Sequence, residues 1–184
     1  MPAVIALLRA VNLAGHNSIK MDALRELCES LALGDPRTHL QSGNVVFRTK
    51  ERDLTRLAQR LEQAIERRCG FRTRVMLRTT SEVRAVIERN PFARRRGIDP
   101  SRLLVNFLAD DPGPDASAKI LNLQWNPEEL RLAGRELYIY YPNGVGRSKL
   151  TAAVIERTLK VSGTGRNWNT VTKLLEIAES LELS

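Results

Sequence analysis

Residues 164–170 read Thr-Gly-Arg-Asn-Trp-Asn-Thr and place an arginine, two asparagines and a tryptophan at what looks like the start of the last helix. A helix start presents unpaired backbone N–H groups along a dipole that attracts negative charge. Arg166, Asn167, Trp168 and Asn169 are therefore candidates for holding a phosphate or a carboxylate. Three more clusters offer related chemistry. The loop that opens with Asn12 closes on Lys20 at a second helix start, with Arg9 just before it. Gln41, Ser42 and Asn44 surround Gly43 in a hairpin turn. Arg147, Ser148 and Lys149 lead into a third helix start, in a stretch that has the chemistry of a phosphate cradle but not the GxxxxGK[ST] spacing of a Walker A loop.

Structural duties account for part of this list. Ser148 or Thr151 serves as a helix cap, a contribution of about 1 kcal/mol; Gly43 and Asn44 suit the positive φ of a turn; Trp168 suits a core anchor. Capping does not explain the cations, which the dipole disfavours at a helix start by about 0.3–1 kcal/mol each. Asp22 and His39 are candidate proton acceptors, but neither stands in a recognisable catalytic constellation, so no catalytic residue is assigned. Cys28 and Cys69 lie far apart with no CxxC and read as reduced thiols on apolar faces; no metal site and no cofactor are expected.

The elements that must position these clusters follow from composition and periodicity. The chain has 184 residues, 42% hydrophobic and 27% charged, enough for one large core or two small ones. Its net charge of +8 is concentrated in the first 80 residues, which hold 14 Lys+Arg against 8 Asp+Glu. Only six of the 29 basic residues are lysine. The arginine bias fits phosphate recognition, but a genome rich in G and C produces it with no function at all, and net charge alone points to no specific activity. The run Val4-Ile5-Ala6-Leu7-Leu8 is too short to span a membrane and lacks the flanks of a signal peptide, so it reads as a buried strand of a cytoplasmic protein.

Alternation and helical spacing then give strand 4–12, a helix from Met21, strands 38–41 and 45–48 as a hairpin, a helix capped by Asp53 and ended by Gly70, and strand 72–77. That βαββαβ order is the signature of a ferredoxin-like sandwich over residues 1–80. Residues 81–184 open with a linking helix at 81–90, for which Thr79 and Glu82 form a capping pair. They continue as βαββα with a last helix where a fourth strand would stand, a pattern that points to structural duplication. The expectation is an α+β protein of two ferredoxin-like halves with antiparallel sheets and a C-terminal helix.

Six ordered motifs carry a resemblance: 6–12, 19–21, 41–47, Asn90-Pro91-Phe92, 146–150 and 166–171 are similar to the bacterial family catalogued as domain of unknown function 1697. The resemblance implies an α+β protein with ferredoxin-like halves and brings no activity. Ala10 and Ala14 stand where glycine is common, and His39 where tyrosine is common. Two functions stay open. One is a binding module for a phosphate-bearing partner, most simply nucleic acid, with Arg9, Lys20, Arg147, Lys149 and Arg166 neutralising charge and Trp168 or Tyr138 offering a stacking face. The other is an enzyme on a small anionic substrate such as a nucleotide or sugar phosphate, held between the halves and oriented by Gln41, Ser42, Asn167 and Asn169. No membrane partner is expected, and the sequence sets no oligomeric state.

Overall fold

The computed structural model describes residues 1–184. The chain divides into two compact units, one formed by Met1–Ala85 with Thr172–Ser184 and the other by Val86–Val171. No helix is long and apolar enough to cross a membrane.

In the first unit, β1 (Ala3–Leu8) is the inner strand of a sheet whose other members are β2 (Gly34–Thr38), β3 (Asn44–Arg48) and β4 (Val75–Thr79). The order is β2-β3-β1-β4, antiparallel throughout, with Ile5 opposite Val46 on one side and Arg78 on the other. Helices α1 (Met21–Ser30) and α2 (Leu54–Cys69) cover one face. Val4, Ala6 and Leu8 of β1 join Leu24, Leu27, Leu57, Leu61 and Ile65 in one buried cluster. Each of those leucines contributes about 1.5–3 kcal/mol by leaving water. The α2 ends follow the expected chemistry: Asp53 accepts the Arg56 N–H, and Gly70 takes φ +77° to close the last turn.

Three strands differ from the sequence expectation. β1 ends at Leu8 rather than at residue 12. β2 lies several residues earlier than 38–41, because Leu40 and Gly43 both take positive φ and turn the chain there. Pro36 falls within β2, which is an edge strand and so needs no partner for its missing N–H on the open side. β4 begins at Val75 rather than at residue 72. The capping pair before α3 (Thr80–Glu88) forms as expected: Thr79 Oγ1 accepts the Glu82 N–H at 3.1 Å, and Glu82 Oε2 accepts the Thr79 N–H at 2.8 Å.

The second unit repeats the plan with β5 (Leu103–Leu108), α4 (Gly113–Asn122), β6 (Glu129–Ala133), β7 (Glu136–Tyr140), α5 (Ala152–Leu159) and β8 (Gly163–Asn167). Its order is β6-β7-β5-β8. The expected βαββα is corrected here, because residues 163–167 pair with β5 as a fourth strand and the last helix, α6 (Trp168–Leu183), starts only after it. The two sheets share a register. Leu8 faces Val75 and Ile5 faces Arg78, while Leu108 faces Gly163 and Val105 faces Arg166. Arg78 and Arg166 thus hold equivalent positions, both buried, and each donates from Nη1 to the carbonyl of the preceding residue at 2.9 Å. Helix α6 starts in the second unit and ends in the first, where Glu182 Oε1 accepts the Ala3 N–H at 3.0 Å and the Thr80 hydroxyl at 2.7 Å.

Candidate functional site

The first unit gathers three of its motifs around one side chain. Asn12 Nδ2 donates to the Ile19 carbonyl at 2.9 Å and to the Gln41 carbonyl at 2.7 Å, while its Oδ1 accepts the Ile19 N–H at 2.8 Å. The loop after β1, the residue before Lys20 and the 39–43 turn are thereby held together. Asn17 Nδ2 donates to the Ala10 carbonyl at 3.0 Å and closes the loop from its other end. The turn is fixed by Asn44, fully buried, whose Nδ2 donates to the His39 carbonyl at 2.8 Å and to Ser42 Oγ at 2.9 Å. Gly43 packs against β1, where its carbonyl accepts the Leu8 N–H at 2.8 Å.

Around this knot the polar groups differ in accessibility. Gln41, Ser42 and Lys20 are exposed, and Arg9 is half-buried. Lys20 is the extended residue before α1; no side chain caps that helix, and the lysine makes no ion pair. Asp22, in the first turn, is engaged by Arg25. Burial, followed by the charge of Lys173, holds His39 below the ordinary imidazole value, so it is neutral at pH 7. A neutral ring accepts a proton or a hydrogen bond but adds no charge to the surface.

In the second unit the residues separate into buried supports and exposed cations. Ser148 Oγ accepts the Leu150 N–H at 3.0 Å, and Thr151 Oγ1 accepts the Val154 N–H at 3.3 Å as the cap of α5. Leu150 is buried, with its carbonyl taking the Tyr141 hydroxyl at 3.1 Å. Arg147 and Lys149, on either side of Ser148, stay exposed and make no ion pair. Arg166 is buried within β8 rather than standing at a helix start, and its Nη1 donates to Thr164 Oγ1 at 2.6 Å. Burial pushes its guanidinium down to about 10, which leaves it charged at neutral pH. Asn167 caps α6 by accepting the Asn169 N–H at 3.0 Å and reaches the Ser101 carbonyl with Nδ2 at 2.6 Å. Tyr138, read from sequence as a stacking face, is 2% exposed and donates its hydroxyl to the Val86 carbonyl at 2.7 Å. A base cannot stack on it.

Fold and motif geometry together bear on ancestry. The family described as Protein of unknown function (DUF1697) matches residues 1–138. The chain belongs to the DUF1697 family. The solved structure of a conserved bacterial protein from Streptococcus pneumoniae is similar at 22% identity and a TM-score of 0.73, covering 96% of this chain and 98% of that one. At that identity the likeness is one of fold. No curated protein matches the chain.

In this DUF1697 member the two alanines that stand where glycine is common, Ala10 and Ala14, take φ +52° and +46°. Both belong to the left-handed region, which glycine enters without the steric cost of a Cβ. Asn12 and Asn17 share that region at +54° and +50°, where asparagine is the better tolerated residue. The sequence reading missed a cleft in the second unit that joins Asn90 and Phe92 to Trp168. Its signal was the Asn-Pro-Phe motif, which carried the family resemblance and was given no binding role.

Proposed function

We propose that this DUF1697 chain binds a phosphate-bearing polyanion, most simply nucleic acid, at the surface where the 9–20 loop meets the 39–43 turn. The observation that carries the reading is the Asn12 carboxamide, which spans Ile19 and Gln41 and so sets an uncapped helix start with Lys20 beside the exposed Ser42 turn. Backbone donors, a dipole of the right sign and an unpaired ammonium suit a phosphate oxygen. In the second unit Arg147 and Lys149 offer two more unpaired cations, suited to contacts along a backbone rather than to a base. Arg9 joins the first surface, and Arg166 supports β8 from within.

Binding of this kind is sequence-tolerant and weak, with a Kd on the order of 10⁻⁴ to 10⁻⁶ M at physiological salt. Fluorescence anisotropy with labelled single- and double-stranded oligonucleotides across a salt series tests it. Affinity should fall as salt rises, and Lys20→Gln should reduce the salt slope by about one. No anisotropy change even at low salt would overturn the proposal. Thermal stabilisation by mononucleotides or sugar phosphates without oligonucleotide binding would instead favour the second reading, an enzyme on a small anionic substrate; a ligand at about 100 times its Kd adds ~2.7 kcal/mol.

A further inference from the structure

A cleft of about 360 Å³ in the second unit is lined by none of the residues that the proposed polyanion surface uses. Its apolar walls include Ile87, Phe92, Ile98 and Leu103, of which Phe92 and Leu103 are buried. Its polar lining is Asn90, Arg95 and Trp168, the last being half-buried as the first residue of α6.

The hydrogen-bonding capacity of that lining is one-sided. Trp168 donates its indole N–H to nothing in the protein, whereas the other tryptophan, Trp125, donates to the Ile120 carbonyl at 3.1 Å. Asn90 spends its Oδ1 on the Phe92 N–H at 2.9 Å, and its Nδ2 has no acceptor. Arg95 is anchored by Glu129 through Nη1, with its guanidinium carbon 5.9 Å from the Tyr140 ring centre. The planar fork keeps further N–H groups for a second acceptor. Arg94 and Arg96 flank it, exposed and without a carboxylate partner.

Donors on the lining and hydrocarbon in the walls select a guest with an apolar body and an acceptor-only head. A cation would face the Arg95 guanidinium, and a plain hydrocarbon would leave the indole and carboxamide donors without an acceptor when water is displaced. An isolated phosphate would gain nothing from the walls. A volume near the lower end of the ~300–1,000 Å³ range of ligand pockets fits one ring or one branched chain. We propose that this cleft binds a small carboxylate with an aromatic or branched aliphatic body, the carboxylate meeting Arg95, Asn90 and the Trp168 indole N–H.

The test is a titration of the ¹⁵N-labelled protein with phenylacetate, followed by two-dimensional NMR and using Trp168→Phe to assign the two indole signals. Saturable movement of the Trp168 indole and the Asn90 carboxamide, with Trp125 still, is the expected result. Phenylacetamide, uncharged and of the same shape, should bind at least ~10-fold more weakly, and inorganic phosphate should leave both signals in place. Arg95→Met should weaken phenylacetate by ~10-fold; Glu129→Gln, which frees the guanidinium, should tighten it. A Trp168 signal that stays fixed up to ~10 mM phenylacetate overturns the proposal. So does equal binding of the amide, or an equal response to phosphate.

Discussion

Gly43 shows how narrowly a single residue is constrained in this protein. A Cβ at that position would lie 2.4 Å from Val11 Cγ2 and 2.8 Å from Leu8 Cβ, on a backbone at φ +75°. Neither contact is with the far end of a flexible side chain, so β1 itself would have to move. Gly43→Ala should lower unfolding free energy by ~2–4 kcal/mol, read by urea denaturation, and loosen the turn that Asn44 holds. An unchanged midpoint would mean that the turn tolerates a side chain after all. Ala14 makes the opposite case at φ +46°, exposed in the loop after β1. Relief of left-handed strain, ~1–2 kcal/mol, outweighs the backbone entropy that glycine adds, ~0.5–1 kcal/mol, so Ala14→Gly should stabilise the fold by up to ~1 kcal/mol.

Among the elements, β8 is the one whose sequence conceals it. Gly163, Gly165 and Asn167 alternate with Thr164 and Arg166, so no apolar stripe announces a strand, and an asparagine-rich helix start is the natural reading. Its pairing with β5 makes it a strand, and the Leu104 and Asn106 side chains of β5 crowd the two glycines. A Cβ on Gly165 would meet Leu104 Cδ2 at 2.7 Å, and one on Gly163 would meet Asn106 Oδ1 at 2.7 Å. Gly165→Val has the higher strand propensity yet should destabilise the second unit, with amide exchange in β5 and β8 rising more than in β1 and β3. Retained protection in β5 would show that Leu104 can move aside. The helices were readable because caps and stripes are local: Asp53 with Gly70, and Thr79 with Glu82, mark ends that the structure reproduces. β2 was displaced because Leu40, an ordinary apolar residue, takes positive φ, which no propensity anticipates.

At the scale of the whole chain, the last thirteen residues belong with the first unit although they follow the second in sequence. Glu182 ties α6 to the first residue of β1 and to Thr80, and Glu179 pairs with Arg84 at 2.9 Å. A chain ending at Val171 should therefore lose amide protection in β1 and α3 while β5 and β7 keep theirs, as read by hydrogen exchange. Equal loss in both sheets would contradict that assignment.

The first βαββαβ, a second βαββα that lacked its last strand, and the motif list are legible from the chain alone, because hydrophobic period, caps and turn residues act over a few positions. Which polar residues face water is not. Arg166 and Tyr138 read as surface chemistry and are buried, Asn12 and Asn44 read as ligand groups and are braces, and Asn90, part of a family motif with no role assigned, lines a cleft. Those outcomes depend on partners distant in sequence, Gln41 for Asn12, Val86 for Tyr138 and Val105 for Arg166, and only strand pairing and packing bring such partners within reach.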